Sequence, residues 1–118
     1  MDIVEYQEWT IETAAYPEAG KYTERELNYL VHGLAGEAGE LVNKFKKLLR
    51  NGTILLDADQ AIDLDDEHLG VIFDELGDTL WYMARICEAM GTTINSIAGW
   101  NQAKLMERKG KGEIKTHS

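Results

Sequence analysis

The chain is poor in the residues that usually announce a special architecture. Among 118 residues it has one cysteine, one proline and two phenylalanines, and the stretch from Asn51 to Ala84 contains no lysine or arginine. A single thiol, Cys87, excludes an intramolecular disulfide framework and suits a reducing compartment. A single proline, Pro17, leaves nearly the whole chain free to be helical, and the many Ala, Leu, Glu and Lys residues push the same way. No segment approaches the ~18 apolar residues of a membrane span. The opening MDIVEYQEW carries acids where a signal peptide needs a basic start, so the expected setting is the cytosol, without a membrane partner. Bases are also scarce overall: 21 acids against 12 give a net charge of −9. Phosphate backbones recruit positive surface, so direct nucleic-acid binding is not expected. Nine of the acids lie in the base-free stretch, and the rest of the chain is balanced at twelve and twelve.

What is present reads as one all-α domain over residues 1–118, a protomer of four to five helices. The 44% apolar content is enough for one core at this length. A first helix is expected over Asp2 to Ala15, ending before Tyr16-Pro17, because a residue ahead of proline avoids the helical region. Glu18 to Tyr22 reads as a turn. Thr23-Glu24-Arg25-Glu26 is a capping box that opens a second helix running to about Leu49, where Asn51-Gly52 supplies a stop. Its stripe (Leu27, Leu30, Val31, Leu34, Leu41, Val42, Phe45, Leu48) keeps a helical period for six turns. Residues 51–66 break the pattern and read as an acidic loop, since the glycine a calcium loop needs at its sixth position is missing after Asp57 or Asp59. A third helix over Asp66 to Met90 has Leu69, Ile72, Phe73, Leu76, Leu80, Met83 and Cys87 as its core face, which makes Cys87 a buried small hydrophobe. A fourth runs from Thr92 or Thr93 to about Lys109, followed by a basic tail over 110–118.

Beside the two long stripes sit two acidic pairs. Glu37 and Glu40 are three apart on the second helix, and Glu75 and Asp78 are three apart on the third. That spacing puts each pair on one helix face, with side chains about 5–6 Å apart. At ~100° per residue both pairs flank their core stripe on the same side, so antiparallel packing would turn four carboxylates into one cleft. Converging carboxylates repel one another and are costly to bury unless a cation joins them. All-oxygen ligation favours Mg²⁺, with Mn²⁺ as a possible substitute, over zinc. The competing reading is two solvated acidic faces. A di-iron carboxylate bundle needs Glu-x-x-His pairs, and none of His32, His68 or His117 follows a Glu by three.

Gly36-Glu37-Ala38-Gly39-Glu40-Leu41, then Asp74-Glu75-Leu76-Gly77-Asp78-Thr79-Leu80-Trp81-Tyr82, then Asn101-Gln102-Ala103-Lys104-Leu105-Met106-Glu107-Arg108, together resemble the all-α nucleoside triphosphate pyrophosphohydrolases of the MazG-like group. The likeness runs from about Tyr6 to Ile114. The spacing between Glu40 and Glu75 is longer than usual, as an inserted acidic loop would make it. The resemblance implies Mg²⁺-dependent hydrolysis of a ribo- or deoxyribonucleoside triphosphate to its monophosphate and pyrophosphate. It makes Glu37, Glu40, Glu75 and Asp78 the catalytic metal ligands. It also implies a homodimer or homotetramer, in bacterial or phage-infected host cytosol. A narrower-substrate relative (dUTP, dCTP or phosphoribosyl-ATP) and a non-catalytic acidic helical binding module are the alternatives.

The bases fit phosphate chemistry as substrate-binding residues. Lys44 lies one turn beyond Glu40, where it could equally form an i,i+4 pair, and Lys47 follows three residues later. On the fourth helix Asn101 and Arg108 continue the face begun by Ile94 and Ile97, with Lys104 adjacent. Arg108 could grip a phosphate bidentately, Lys104 could act as a point charge and Asn101 could donate to an oxygen. Tyr82 falls on the acidic flank and could line a base pocket. Trp81 is expected to point away, Trp9 and Trp100 to serve core or interface, and Arg85 to serve the acids or a surface pair.

Overall fold

The computed structural model describes residues 1–52 and 65–113, and among these every regular element is helical. The acidic loop, the calcium-loop comparison and the end of the basic tail fall on 53–64 and 114–118, outside the described residues. The elements are α1 (Ile3–Trp9), a 3₁₀ turn (Thr10–Thr13), α2 (Glu24–Arg50), α3 (Asp66–Ala89) and α4 (Ile94–Gly110).

The expected first helix is shorter than its sequence range. Thr10 Oγ1 donates to the Gln7 carbonyl at 2.6 Å and Thr13 Oγ1 to the Thr10 carbonyl at 3.2 Å. Threonine hydroxyls that compete for backbone carbonyls tighten the α-helix into a 3₁₀ turn at this point. The other starts follow their caps. Thr23 Oγ1 accepts from the Glu26 N–H at 3.1 Å, Asp65 Oδ1 from that of His68 at 2.9 Å and Thr93 Oγ1 from that of Ser96 at 3.0 Å. Gly91, at φ 71°, closes α3, with the Thr92 N–H returning to the Cys87 carbonyl at 2.9 Å.

The long helices α2 and α3 form the main packing layer and run antiparallel. Lys44 meets Glu75, Glu37 meets Asp78, and Gly33 meets Tyr82, so the α2 number falls as the α3 number rises. α1 lies on α3 and α4. Its buried Gln7 donates to Glu88 Oε1 and to the Thr92 carbonyl, each at 2.9 Å, and accepts from the Ile94 N–H at 2.8 Å. One amide thus saturates itself while pinning α1 to the α3–α4 turn.

The core departs from expectation. Among the described residues five apolar ones are buried (Tyr16, Leu30, Leu48, Ala84, Cys87), matched by five polar ones (Gln7, Thr10, Glu26, Glu75, Arg85). Much of the apolar periodicity faces outward instead: Val42 is 67% exposed and Phe73 61%, with Val31, Leu76 and Met83 also exposed. The stripes are wider than the single contact between α2 and α3 can cover. α4 has no buried residue, packs on α1 and α3 among the described residues, and leaves Trp100 78% exposed.

Candidate functional site

The antiparallel register brings three of the four singled-out acids together. Carboxylate oxygens of Glu37, Glu75 and Asp78 all lie within 4.8 Å of one another. Glu75 is the buried member. Its Oε1 accepts from Lys44 Nζ at 2.5 Å, whereas its Oε2 is buried with no hydrogen-bond partner. A buried carboxylate oxygen without a donor is costly, and it marks a position built for a cation or a proton. Burial pushes Glu37 up, and a hydrogen bond shared with Glu75 and the charges of Asp78, Glu75 and Glu40 push it further. The Lys44 hydrogen bond holds Glu75 below the usual carboxylate range, and the same bond raises Lys44. Two carboxylates bond only through a proton on one of them, so the Glu37–Glu75 hydrogen bond exists only while Glu37 is protonated. The donor set is all oxygen, which fits Mg²⁺ or Mn²⁺.

Glu40 is exposed and stands outside the three-acid group, although its charge reaches both Glu37 and Lys44. Lys44 does not form the i,i+4 pair with Glu40; it crosses to Glu75 on α3. Lys47 is exposed on α2. Asn101, Lys104 and Arg108 are exposed on α4, whose first turn shares an apolar groove with Leu34 of α2 through Ile94 and Ile97 while the two backbones stay apart. No hydrogen bond or ion pair joins them to the acids among the described residues.

Tyr82 lies on the acidic flank, as its register predicts. Its ring occupies the space where a side chain on Gly33 would stand. Burial raises its hydroxyl pKa, and Tyr29, Glu37 and Asp78 add to the rise. Beside it opens a cleft of about 250 Å³ lined by Thr13, Ala15, Tyr16, Tyr29, Trp81 and Tyr82. Tyr16 stacks on Tyr29 at 5.2 Å, and Trp81 stands edge-on to both Tyr16 (6.0 Å) and Tyr82 (5.1 Å). Trp81, expected to point away from the acids and to serve packing or an interface, packs on Tyr16, donates its indole N–H to Thr13 Oγ1 at 2.8 Å and forms one wall of this cleft.

Behind the aromatic wall is a buried network that the sequence reading missed. Glu26 accepts from Tyr16 Oη and the Gly20 N–H at 2.6 Å and from the Tyr22 N–H at 3.0 Å. Arg85 lies 3.8 Å from Glu26 and donates to Tyr16 Oη (3.2 Å) and Thr10 Oγ1 (3.4 Å). Arg85 therefore serves neither the acid cluster nor a surface pair. The one available signal was Glu26 in the capping box, although here its carboxylate reaches past the cap to the preceding turn.

Comparison with known proteins agrees with this architecture. The model of the MazG nucleotide pyrophosphohydrolase domain matches residues 25–112, which include both acidic pairs, the aromatic pair on α3 and the whole of α4. The gene 37 protein of Mycobacterium phage L5 is 36% identical over 110 residues, covering 92% of this chain and 90% of that protein. No solved structure matches the chain. With an all-helical fold, a facing pair of acid-bearing helices and a domain match over most of its length, the chain belongs to the MazG nucleotide pyrophosphohydrolase family.

Proposed function

We propose that this chain hydrolyses a ribo- or deoxyribonucleoside triphosphate to the monophosphate and pyrophosphate with Mg²⁺. The observation that carries the reading is Glu75. It is a buried carboxylate with one partnerless oxygen, and an oxygen of Asp78 on its own helix and one of Glu37 on the facing helix lie within 4.8 Å. Glu37, Glu75 and Asp78 would hold the metal, with Glu40 at its edge. When bound, the ion supplies charge neutralisation for the phosphates and activation of a water. The protein's own groups position the rest. Lys44 and Lys47 offer charge along α2 for the phosphate chain. The cleft between Tyr16, Tyr29, Trp81 and Tyr82 offers stacking faces for a base next to the acids. Asn101, Lys104 and Arg108 make no hydrogen bond or ion pair with the acids among the described residues, and they would reach a substrate through assembly of copies. The exposed apolar faces of α2, α3 and α4 support a homodimer or a homotetramer.

The test is a pyrophosphate-release screen over all common ribo- and deoxyribonucleoside triphosphates, with and without Mg²⁺. Release from at least one of them is expected, and Glu75→Gln or Asp78→Asn should lower it by ~10²-fold or more, since a lost metal forfeits several kcal/mol of transition-state stabilisation. The same panel separates a broad hydrolase from one confined to dUTP, dCTP or phosphoribosyl-ATP. No release from any nucleotide would sink the reading.

A further inference from the structure

Lys44 occupies the place of a cation. Its ammonium sits 2.5 Å from Glu75 Oε1, inside the field of Glu37, Glu75, Asp78 and Glu40, and it is the only base paired to the cluster among the described residues. The nearest buried alternative, Arg85, is committed to Glu26, Tyr16 and Thr10. Lys44 satisfies only one of the two Glu75 oxygens and leaves Oε2 bare, so the cluster is neutralised in part and not filled. The lysine is also free to leave. Its side chain is 38% exposed, and a long flexible stem lets the charged end move into water without disturbing α2.

We propose that Lys44 is a resident counter-ion of the acid cluster, one that holds Glu75 while the metal is absent and is expelled from the cluster when a divalent cation enters. The proposal rests on the metal-site reading above. An ammonium and a divalent cation on one carboxylate repel each other, so entry of the ion weakens the lysine's hold on Glu75. Without the ammonium, three facing carboxylates would have no compensating charge in the metal-free chain. With it, the chain folds before the metal arrives. The cost is affinity: the ion binds only the fraction of molecules in which Lys44 has swung out, so the apparent dissociation constant rises by the inverse of that fraction.

Two measurements on the full chain without nucleotide test this. In calorimetric titration with Mn²⁺, Lys44→Met should bind about tenfold tighter than the unaltered protein, a competing state of about 90% occupancy having been removed. Lys47→Met makes the same charge change three residues away and should shift affinity much less. Equal tightening in both variants reduces the effect to bulk charge and overturns the proposal, as does no tightening in Lys44→Met. In reductive methylation read by mass spectrometry on the unaltered protein, the Lys44 amine should be protected in metal-free buffer and should react several-fold faster once Mg²⁺ is added. Unchanged labelling, with Mg²⁺ binding shown by calorimetry, overturns the proposal and leaves the metal site standing. Absence of any Mn²⁺ or Mg²⁺ binding by the unaltered protein defeats the metal-site reading itself. The labelling arm needs no variant, so it decides even if Lys44→Met fails to fold.

Discussion

Gly33 has no Cβ, and the ring of Tyr82 occupies the space where one would stand. That absence lets an aromatic side chain lie flat against α2 one turn before Glu37, and so places a stacking face beside the acids. Gly36, three residues on, faces open space. The two glycines therefore give opposite predictions from the same substitution. Gly36→Ala gains the ordinary helix benefit of about 0.5–1 kcal/mol. Gly33→Ala gains that too but must displace a packed ring, and overpacking of this kind costs about 1–3 kcal/mol. Urea unfolding at constant m should show a raised midpoint for Gly36→Ala and a lowered one for Gly33→Ala. If Tyr82 lines the base pocket, Gly33→Ala should also raise KM more than it lowers kcat. Much of this was legible from residue spacing, because a 3.6-residue period assigns Glu37, Glu75, Asp78 and Tyr82 to their faces whatever the loops do. The period could not say which of two cations Glu75 would meet, so it left Lys44 paired with Glu40 as an open alternative.

Helix register also has nothing to say about the segment that joins α1 to α2. Glu18 and Tyr22 adopt φ of 67° and 58°, and Gly20 lies between them at 74°. Two non-glycine residues in the left-handed region are strained, and such a turn persists only where its surroundings hold it. The Glu26 carboxylate does so by accepting from Gly20, Tyr22 and Tyr16 at once, with Arg85 behind it. On a helical wheel Arg85 falls on the polar side of α3, near Asp78 and Tyr82. It is buried only because this turn and the 3₁₀ segment fold over it, which is why the sequence left its role open. The donor count ranks the variants. Glu26→Ala orphans three donors and one buried guanidinium, for a loss of about 3–5 kcal/mol. Arg85→Met leaves Glu26 with its three hydrogen bonds and should cost less, about 1–3 kcal/mol. Denaturant unfolding should preserve that order.

The same element has a pH signature. Burial and the hydrogen bond to Glu26 push Tyr16 up to about 12 from 10.0. Its neutral form is therefore favoured in the folded state, so this contribution is complete below pH 10 and is lost as pH rises from 10 towards 12. Burial acts to raise Glu26, but its hydrogen bonds outweigh that and hold it below its ordinary 4.5, so its contribution is complete above that value and lost as pH falls further. Unfolding free energy measured against pH should decline on the alkaline side in the unaltered protein. Tyr16→Phe should be less stable near neutrality and should lose that part of the decline.

The whole molecule is larger than its chain length explains. A compact domain of this size has a radius of gyration near 13–14 Å, and this one measures 17.4 Å. The excess goes with apolar surface that one copy leaves uncovered: Val42 on α2, Phe73, Leu76 and Met83 on α3, and Ile97, Trp100 and Met106 on α4. The sequence pattern marked the stripes on α2 and α3 as core because periodicity reports which face is apolar, without saying whether this chain or another covers it. In the proposed assembly a second copy would cover both long-helix stripes and α4. Sedimentation equilibrium at micromolar concentration should therefore return at least twice the 13.3 kDa of the chain. Phe73→Asp discriminates best. A side chain 61% exposed in the single copy can change with little effect on that copy's own stability, typically within about 0.5 kcal/mol. In an assembly the same change buries an unpaired carboxylate in an apolar interface. Phe73→Asp should then sediment at 13.3 kDa with its helical content intact, and its thermal midpoint should no longer depend on protein concentration. If α4 meets its substrate across that interface, pyrophosphate release should fall with dissociation, although Glu37, Glu75 and Asp78 remain in place within each copy. A parent chain that sediments as a monomer would leave the expanded shape and the remote Asn101, Lys104 and Arg108 without a role in the site.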